Sequence, residues 1–170
     1  MNETELLELL ERVRGKDKAA FVALYGEMKL PIYTVVLRIV QNKECAEDVT
    51  HDLFLQLFVE PPDSSVKNPR AWIFRTARNL AIDALRKKGG EELQEESAVT
   101  NDADEAISLQ LDIKTAFGRL SSVERQIVSL HANGGLGFAE IGKIVGLSLP
   151  ATYRRYQKAV KNPPRFFERR

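Results

Sequence analysis

Two stretches of this 170-residue chain carry residue types whose spacing suits chemistry on a polyanion. In NPRAWIFRTARNLAIDALRKK, Trp72, Arg75, Asn79 and Arg86 project within roughly 60° of one another on a helix. Ile73, Ala77, Leu80, Ala81 and Ala84 fill the opposite side as a core stripe. An aromatic plate beside cations and an amide can stack an unpaired base while pairing its phosphates. The alternative is a tryptophan packed into the domain edge with arginines stacked on it. Further on, GFAEIGKIVGLSLPATYRR reads as two short helices around Gly146, with Ser148 as N-cap and Pro150 in the first turn. In the second helix Thr152, Tyr156, Ala159 and Val160 share an apolar side. Arg154, Lys158 and Lys161 share a cationic one, with Arg155 at its edge. A helix of that kind after a tight turn suits the major groove. The alternative is a solvated basic face on a packed hairpin.

A third face is acidic. On a helix over 43–59, Ala46, Val49, Leu53 and Leu57, with Phe54 and Phe58, form the core stripe. Asp48, Asp52 and Leu55 share another face, flanked by Glu47 and His51. An apolar residue framed by acids suits a basic partner helix, although an ordinary wet face with one exposed leucine has the same pattern. Catalytic constellations are missing. His51 and His131 have no ligand-spaced partners, so no metal site is expected. Neither GxxxxGK[ST] nor GxGxxG occurs. Cys45 reads as a small core residue. The chain is expected to be no enzyme and to need no cofactor.

The elements that must position these faces are helical throughout. Apolar periodicity predicts helices at 3–14, 17–41, 43–59, 69–88, 106–118, 121–132, 138–145 and 149–160, and no alternating strand pattern occurs. Pro31 predicts a kink or restart in the second helix. Charge divides the chain as well. Residues 1–88 carry 14 basic and 13 acidic residues, 89–106 carry 7 acidic and none basic, and 107–170 carry 11 basic and 4 acidic, or +7. The whole is only +1. The expected fold is all-α: a domain over 1–88, an acidic flexible linker over 89–105, and a helix-turn-helix domain over 106–170. The single cysteine excludes an internal disulfide. MNETELLELLERVRG has no signal-peptide core, and the apolar run LPIYTVVL is short of a span. A cytoplasmic chain without membrane insertion is expected.

AEDVTHDLFLQLF, NPRAWIFRTARNLAIDALRKK and LSSVERQIVSLHANGGLGFAEIGKIVGLS, in that order across an acidic linker, resemble the compact bacterial sigma factors of the extracytoplasmic-function (ECF) class. The resemblance covers about residues 17–160. It implies core RNA polymerase, through its beta-prime clamp helices, and promoter DNA as partners, with an anti-sigma factor as a further one. By motif position, Asp48, His51, Asp52 and Leu55 match the polymerase-docking helix. The loop 61–68 matches the segment that pockets a flipped −10 base. Trp72, Arg75, Arg78, Asn79 and Arg86 match the −10 helix. Residues 150–158, with Ala151, Arg154, Arg155 and Lys158, match the −35 recognition helix. His51 stands where the family usually has Gln, the loop PPDSSVKN lacks an aromatic residue, and LPATYRRYQKAV departs from the usual recognition-helix opening. A stand-alone helix-turn-helix regulator would leave the acid-framed face of 43–59 and the Trp72 face idle. A sigma-like interaction protein that does not read DNA is the other alternative.

Overall fold

The computed structural model describes residues 1–88 and 119–161. The acidic linker, the helix expected over 106–118 and the C-terminal tail from 162 lie outside the described residues. All the described helices except Phe138–Val145, which follows Gly137 without a side-chain cap, begin at a capping side chain. In α1 (Glu3–Arg14), Asn2 and Glu5 form a reciprocal capping box. Asp17 caps α2 (Lys18–Val40), Asn42 caps α3 (Lys43–Val59), and Asn68 caps α4 (Pro69–Lys87), with Pro69 in its first turn. The C-terminal helices are α5 (Ser122–Ala132), α6 (Phe138–Val145) and α7 (Leu149–Lys161). Ser121 and Glu124 form a second capping box.

Helix α2 is the axle: α1, α3 and α4 all pack against it. It runs unbroken through Pro31, where the sequence predicts a kink or restart. An interior proline costs about 3 kcal/mol. The helix buries Ala20, Leu24, Met28, Ile32, Val35, Val36, Ile39 and Val40. At about 1.5–3 kcal/mol for each large side chain, burial on both sides of the proline outweighs the local cost. The same apolarity makes α2 long and apolar enough to cross a membrane by length and composition. Eight of its residues are bundle core, while Val22 and Leu30 are exposed. Cys45 belongs to that core. Phe21 meets Phe54 and Phe58 edge-on, at 6.3 and 5.1 Å between centroids, and closes α2 onto α3.

The C-terminal helices pack on one another and on the N-terminal four. Helix α5 lies along α2, and α6 touches α4. Ile127, Leu130 and Ile141 are fully buried, and they belong to one core continuous with that of the first four helices.

Candidate nucleic-acid and partner interfaces

On α3 the apolar stripe turns inward as a unit: Val49, Leu53, Phe54 and Leu57 are buried. That rotation leaves Asp48, His51, Asp52 and Leu55 all exposed, Leu55 by 50%. Val59, one turn beyond Leu55, is 63% exposed and extends the apolar part of the face. No described cation pairs with Asp48 or Asp52. The face is therefore a short apolar ridge with two uncompensated carboxylates, chemistry that fits a basic amphipathic helix.

The loop after α3 is held from α1 and the residues that follow it. Lys16 Nζ donates to the carbonyls of Phe58 (2.9 Å) and Val59 (3.5 Å), which the end of α3 leaves without helical partners. The Arg14 guanidinium donates to the Pro62 carbonyl. At the far end Arg70 donates to the Met1 carbonyl (2.8 Å) and pairs with Glu3 (3.2 Å). Between these anchors Asp63, Ser64 and Ser65 face solvent. Asp63 accepts from Ser65 N at 2.8 Å, and hydrogen bonds from Ser65 hold its carboxyl below the ordinary carboxylate range. None of Arg14, Lys16 and Arg70 was singled out from the sequence.

Helix α4 buries Ile73, Phe74, Ala77 and Ala81 and so presents the opposite side outward. Asn79 and Arg86 are exposed there, and Trp72 and Arg78 are half-buried. Trp72 packs its body against the core edge. Among the described residues no cation sits over its ring. Its placement keeps the edge-packing reading without the stacked arginines. Arg86 is 3.8 Å from Asp83, an exposed pair of little energetic weight.

Helices α6 and α7 meet across a turn at Gly146, which is left-handed at φ 78°. Ser148 caps α7: its Oγ accepts from Ala151 N at 3.2 Å. Thr152 is wholly buried, and its hydroxyl donates to the Ser148 carbonyl at 2.8 Å. Phe138 stacks on His131 (4.6 Å) and receives Tyr153 and Tyr156 at 5.3 and 4.9 Å. His131 is fixed in turn, its Nδ1 donating to the Leu136 carbonyl at 2.9 Å. Thr152 and Tyr156 are thus packing residues of this hairpin, and Tyr153, 45% exposed, meets it through Phe138. Arg154, Arg155, Lys158 and Lys161 are exposed together, and Ala151 lies half-buried at the start of that face. Val160 is 47% exposed, so the apolar side of α7 ends at Ala159 and not where the sequence placed it.

These faces sit on a chain with recognisable relatives. The Sigma-70 region 2 family profile matches residues 24–91, from within α2 through α4. The ECF RNA polymerase sigma factors SigK of Mycobacterium bovis and of Mycobacterium tuberculosis are each 25% identical over 172 residues, covering 94% of this chain and 91% of the relative. Among solved structures, CnrH in complex with the cytosolic domain of CnrY matches with a TM-score of 0.67 and 21% identity, over 91% of this chain and 92% of that one. The sigma factor RpoE, in complex with the anti-sigma factor NepR from Bartonella quintana, matches with the same score and identity over 83% of this chain and 92% of its own. Along nearly its whole length the chain is similar to ECF sigma factors, and its segment 24–91 matches Sigma-70 region 2.

The C-terminal helices reach the side of α4. Arg75 Nη2 donates to the Lys143 carbonyl on α6 at 3.2 Å. Arg78 Nε donates to Gln126 Oε1 on α5 at 3.1 Å. Burial pulls the Arg78 guanidinium below its ordinary pKa, and the positive charge of Arg86 adds to that. Beside them the Gln41 amide faces the Arg125 guanidinium, and the amide orientation that satisfies both groups puts its oxygen 3.1 to 3.3 Å from the guanidinium nitrogens. Gln126 is only 3% exposed. Nothing in the residue pattern singled out Gln41, Arg125 or Gln126.

Proposed function

We propose that this chain is a sigma factor that docks on the beta-prime clamp helices of core RNA polymerase through α3 and directs promoter-specific initiation. In this reading Asp48, His51, Asp52 and Leu55 form the docking face. The loop 61–68 and Trp72, Arg75, Arg78, Asn79 and Arg86 capture the unstacked −10 strand. Ala151, Arg154, Arg155 and Lys158 read a −35 duplex. The three-part organisation is that of the sequence: a docking and melting domain over 1–88, a tether over 89–105, and a reading domain over 106–170. The protein confers specificity and the polymerase supplies the catalysis, in the cytoplasm where the polymerase works. An anti-sigma factor belongs to the same reading, since RpoE, a protein of the same fold, was solved bound to one.

The observation that carries the reading is the α3 face. An exposed leucine ridge with two unpaired carboxylates serves no purpose in the packing of the described helices. Binding of unstacked bases, paid for by stacking and phosphate contacts, is a sufficient source for local melting. The test is run-off transcription with core polymerase on a genomic promoter library. Transcripts that appear only with the protein support the reading. Reversing both Asp48 and Asp52 to lysine should abolish core binding while helicity stays intact. Core binding without any promoter-directed transcript would instead indicate an interaction protein that does not read DNA.

A further inference from the structure

Helix α1 holds both ends of the loop that follows α3, and it does so from its own two ends. At its C-terminal end the Arg14 guanidinium donates to the Pro62 carbonyl. Lys16, two residues on, donates to the carbonyls of Phe58 and Val59, and its Nζ stands 5.1 Å from the centre of the Phe58 ring. At the N-terminal end Arg70, next after Pro69, donates to the Met1 carbonyl and pairs with Glu3. A helix of 12 residues is about 18 Å long, so the two grips lie at opposite ends of one rod.

The rod and the loop ends are both stiff. Leu6, Leu10 and Val13 are buried and fix α1 to the bundle. Arg14 is itself steadied by Glu11 at 2.7 Å. Pro62 and Pro69 are buried, and their rings fix φ where the loop starts and stops. Between them Asp63, Ser64, Ser65 and Lys67 are exposed. Most of the grips end on main-chain carbonyls, so they set the path of the chain without using those exposed side chains. The rod is also unsuited to touch a nucleic acid. Glu3, Glu5, Glu8 and Glu11 are all exposed on it, and such a surface repels phosphates. Any effect of α1 on a bound strand must therefore pass through the loop.

We propose that α1 is a strut for the loop 61–68: by gripping both ends it fixes the width of the loop and so decides which unstacked base the loop accepts. The inference rests on reading that loop as the pocket for a −10 base. Arg14, Lys16 and Arg70 are then positioning residues that make no contact with DNA.

Three variants test the strut. Lys16→Gly removes the amine, and the backbone there, left-handed at φ 63°, suits glycine better than lysine, so folding is not put at risk. Arg70→Ala removes the grip at the other end. Lys16→Arg keeps a cationic donor. Core polymerase is loaded with each full-length protein and mixed with a pool of random single strands of about 12 nucleotides. Bound strands are sequenced, with core polymerase alone as the baseline. The parent should favour one base at one position. Lys16→Gly and Arg70→Ala should each lower that preference, at that same position, by roughly fivefold. The double variant should add little, because a strut freed at one end no longer sets a width. Lys16→Arg should keep the parent's preference, and core-polymerase binding should be equal throughout. A purely structural role would lower the melting temperature and leave base preference unmoved. Parental preference in the folded single variants, or losses that multiply in the double variant, would overturn the strut. Should Arg70→Ala fail to fold, Lys16→Gly against Lys16→Arg decides. If the parent itself selects no base beyond core polymerase alone, the reading of 61–68 as a base pocket fails, and the strut fails with it.

Discussion

Gly142 of α6 lies against Thr152 of α7 so closely that a Cβ on the glycine would sit 3.0 Å from Thr152 Oγ1 and 2.7 Å from the Leu147 carbonyl oxygen. That approach sets the angle between the two helices, and with it the direction of the cationic face. Two effects oppose each other in Gly142→Ala. Helix propensity favours alanine by about 1 kcal/mol. Overpacking against a backbone carbonyl costs about 1–3 kcal/mol, and the carbonyl is fixed because Leu147 N and Gly146 N both bond back to Gly142. The variant should be net destabilised in urea unfolding. Amide exchange should speed in α6 and α7 and stay unchanged in α1–α3. An unchanged or raised midpoint would show that the turn yields to the extra methyl.

Arg14 and Lys16 tie the loop after α3 to the end of α1 and the turn beyond it. Arg14→Ala should leave the four-helix core intact, because its apolar contacts are untouched. Amides around 62–66 should exchange faster, core-polymerase binding should stay at the parent level, and strand capture should weaken. Equal exchange in parent and variant would mean the loop holds its shape without the anchor.

Asp17 joins α1 to α2. Its carboxylate pairs with Arg12 at 2.8 Å and accepts from Ala19 N and Ala20 N. The hydrogen bond from Arg12 comes first among the causes that lower its pKa, followed by the backbone bond from Ala20. A carboxyl depressed in the folded state contributes stability above its ordinary unfolded pKa of about 3.9, and that contribution is lost as pH falls through the lower folded value. Asp17→Asn keeps a capping oxygen but no charge. Its melting temperature should lie below the parent's at neutral pH, with the gap closing only in strong acid. A gap that persists in strong acid would assign the effect to cap geometry instead of charge.

What the sequence disclosed and what it hid follow one physical division. Helix starts at Asn68–Pro69 and Ser148, the Gly146 turn, and the rotation that exposes Asp48, Asp52 and Leu55 are local. Cap chemistry and apolar period determine them within a few residues. Pro31 starts no new helix because a local rule met a tertiary one, burial on both sides of the proline. Gln126, Arg125 and Gln41 were invisible because their meaning lies between segments distant in the chain. A polar residue on an amphipathic helix looks the same whether it meets water or another helix. The anchors Arg14, Lys16 and Arg70 were hidden for the same reason: each reaches a backbone carbonyl more than forty residues away.

Arg154, Arg155 and Lys158 stand exposed on one face of α7, but their roles on a duplex should differ in kind. A cation that only neutralises phosphate binds every sequence alike, and its loss should lower the slope of log affinity against log salt by about 1. An arginine that forks onto a guanine edge should instead be worth about 1–3 kcal/mol of discrimination at one base pair. Lys158 is the farther of the set from the helix start, whose residues enter the groove first in a recognition helix. Lys158→Ala should therefore weaken holoenzyme binding evenly across promoter variants, with the shallower salt slope. Arg154→Ala should flatten the preference at one or two −35 positions. Both are measured by titrating holoenzyme onto a set of single-base promoter variants at several salt concentrations. If Arg154→Ala weakens all variants equally, α7 grips the backbone without reading sequence, and promoter choice must rest on the −10 face alone.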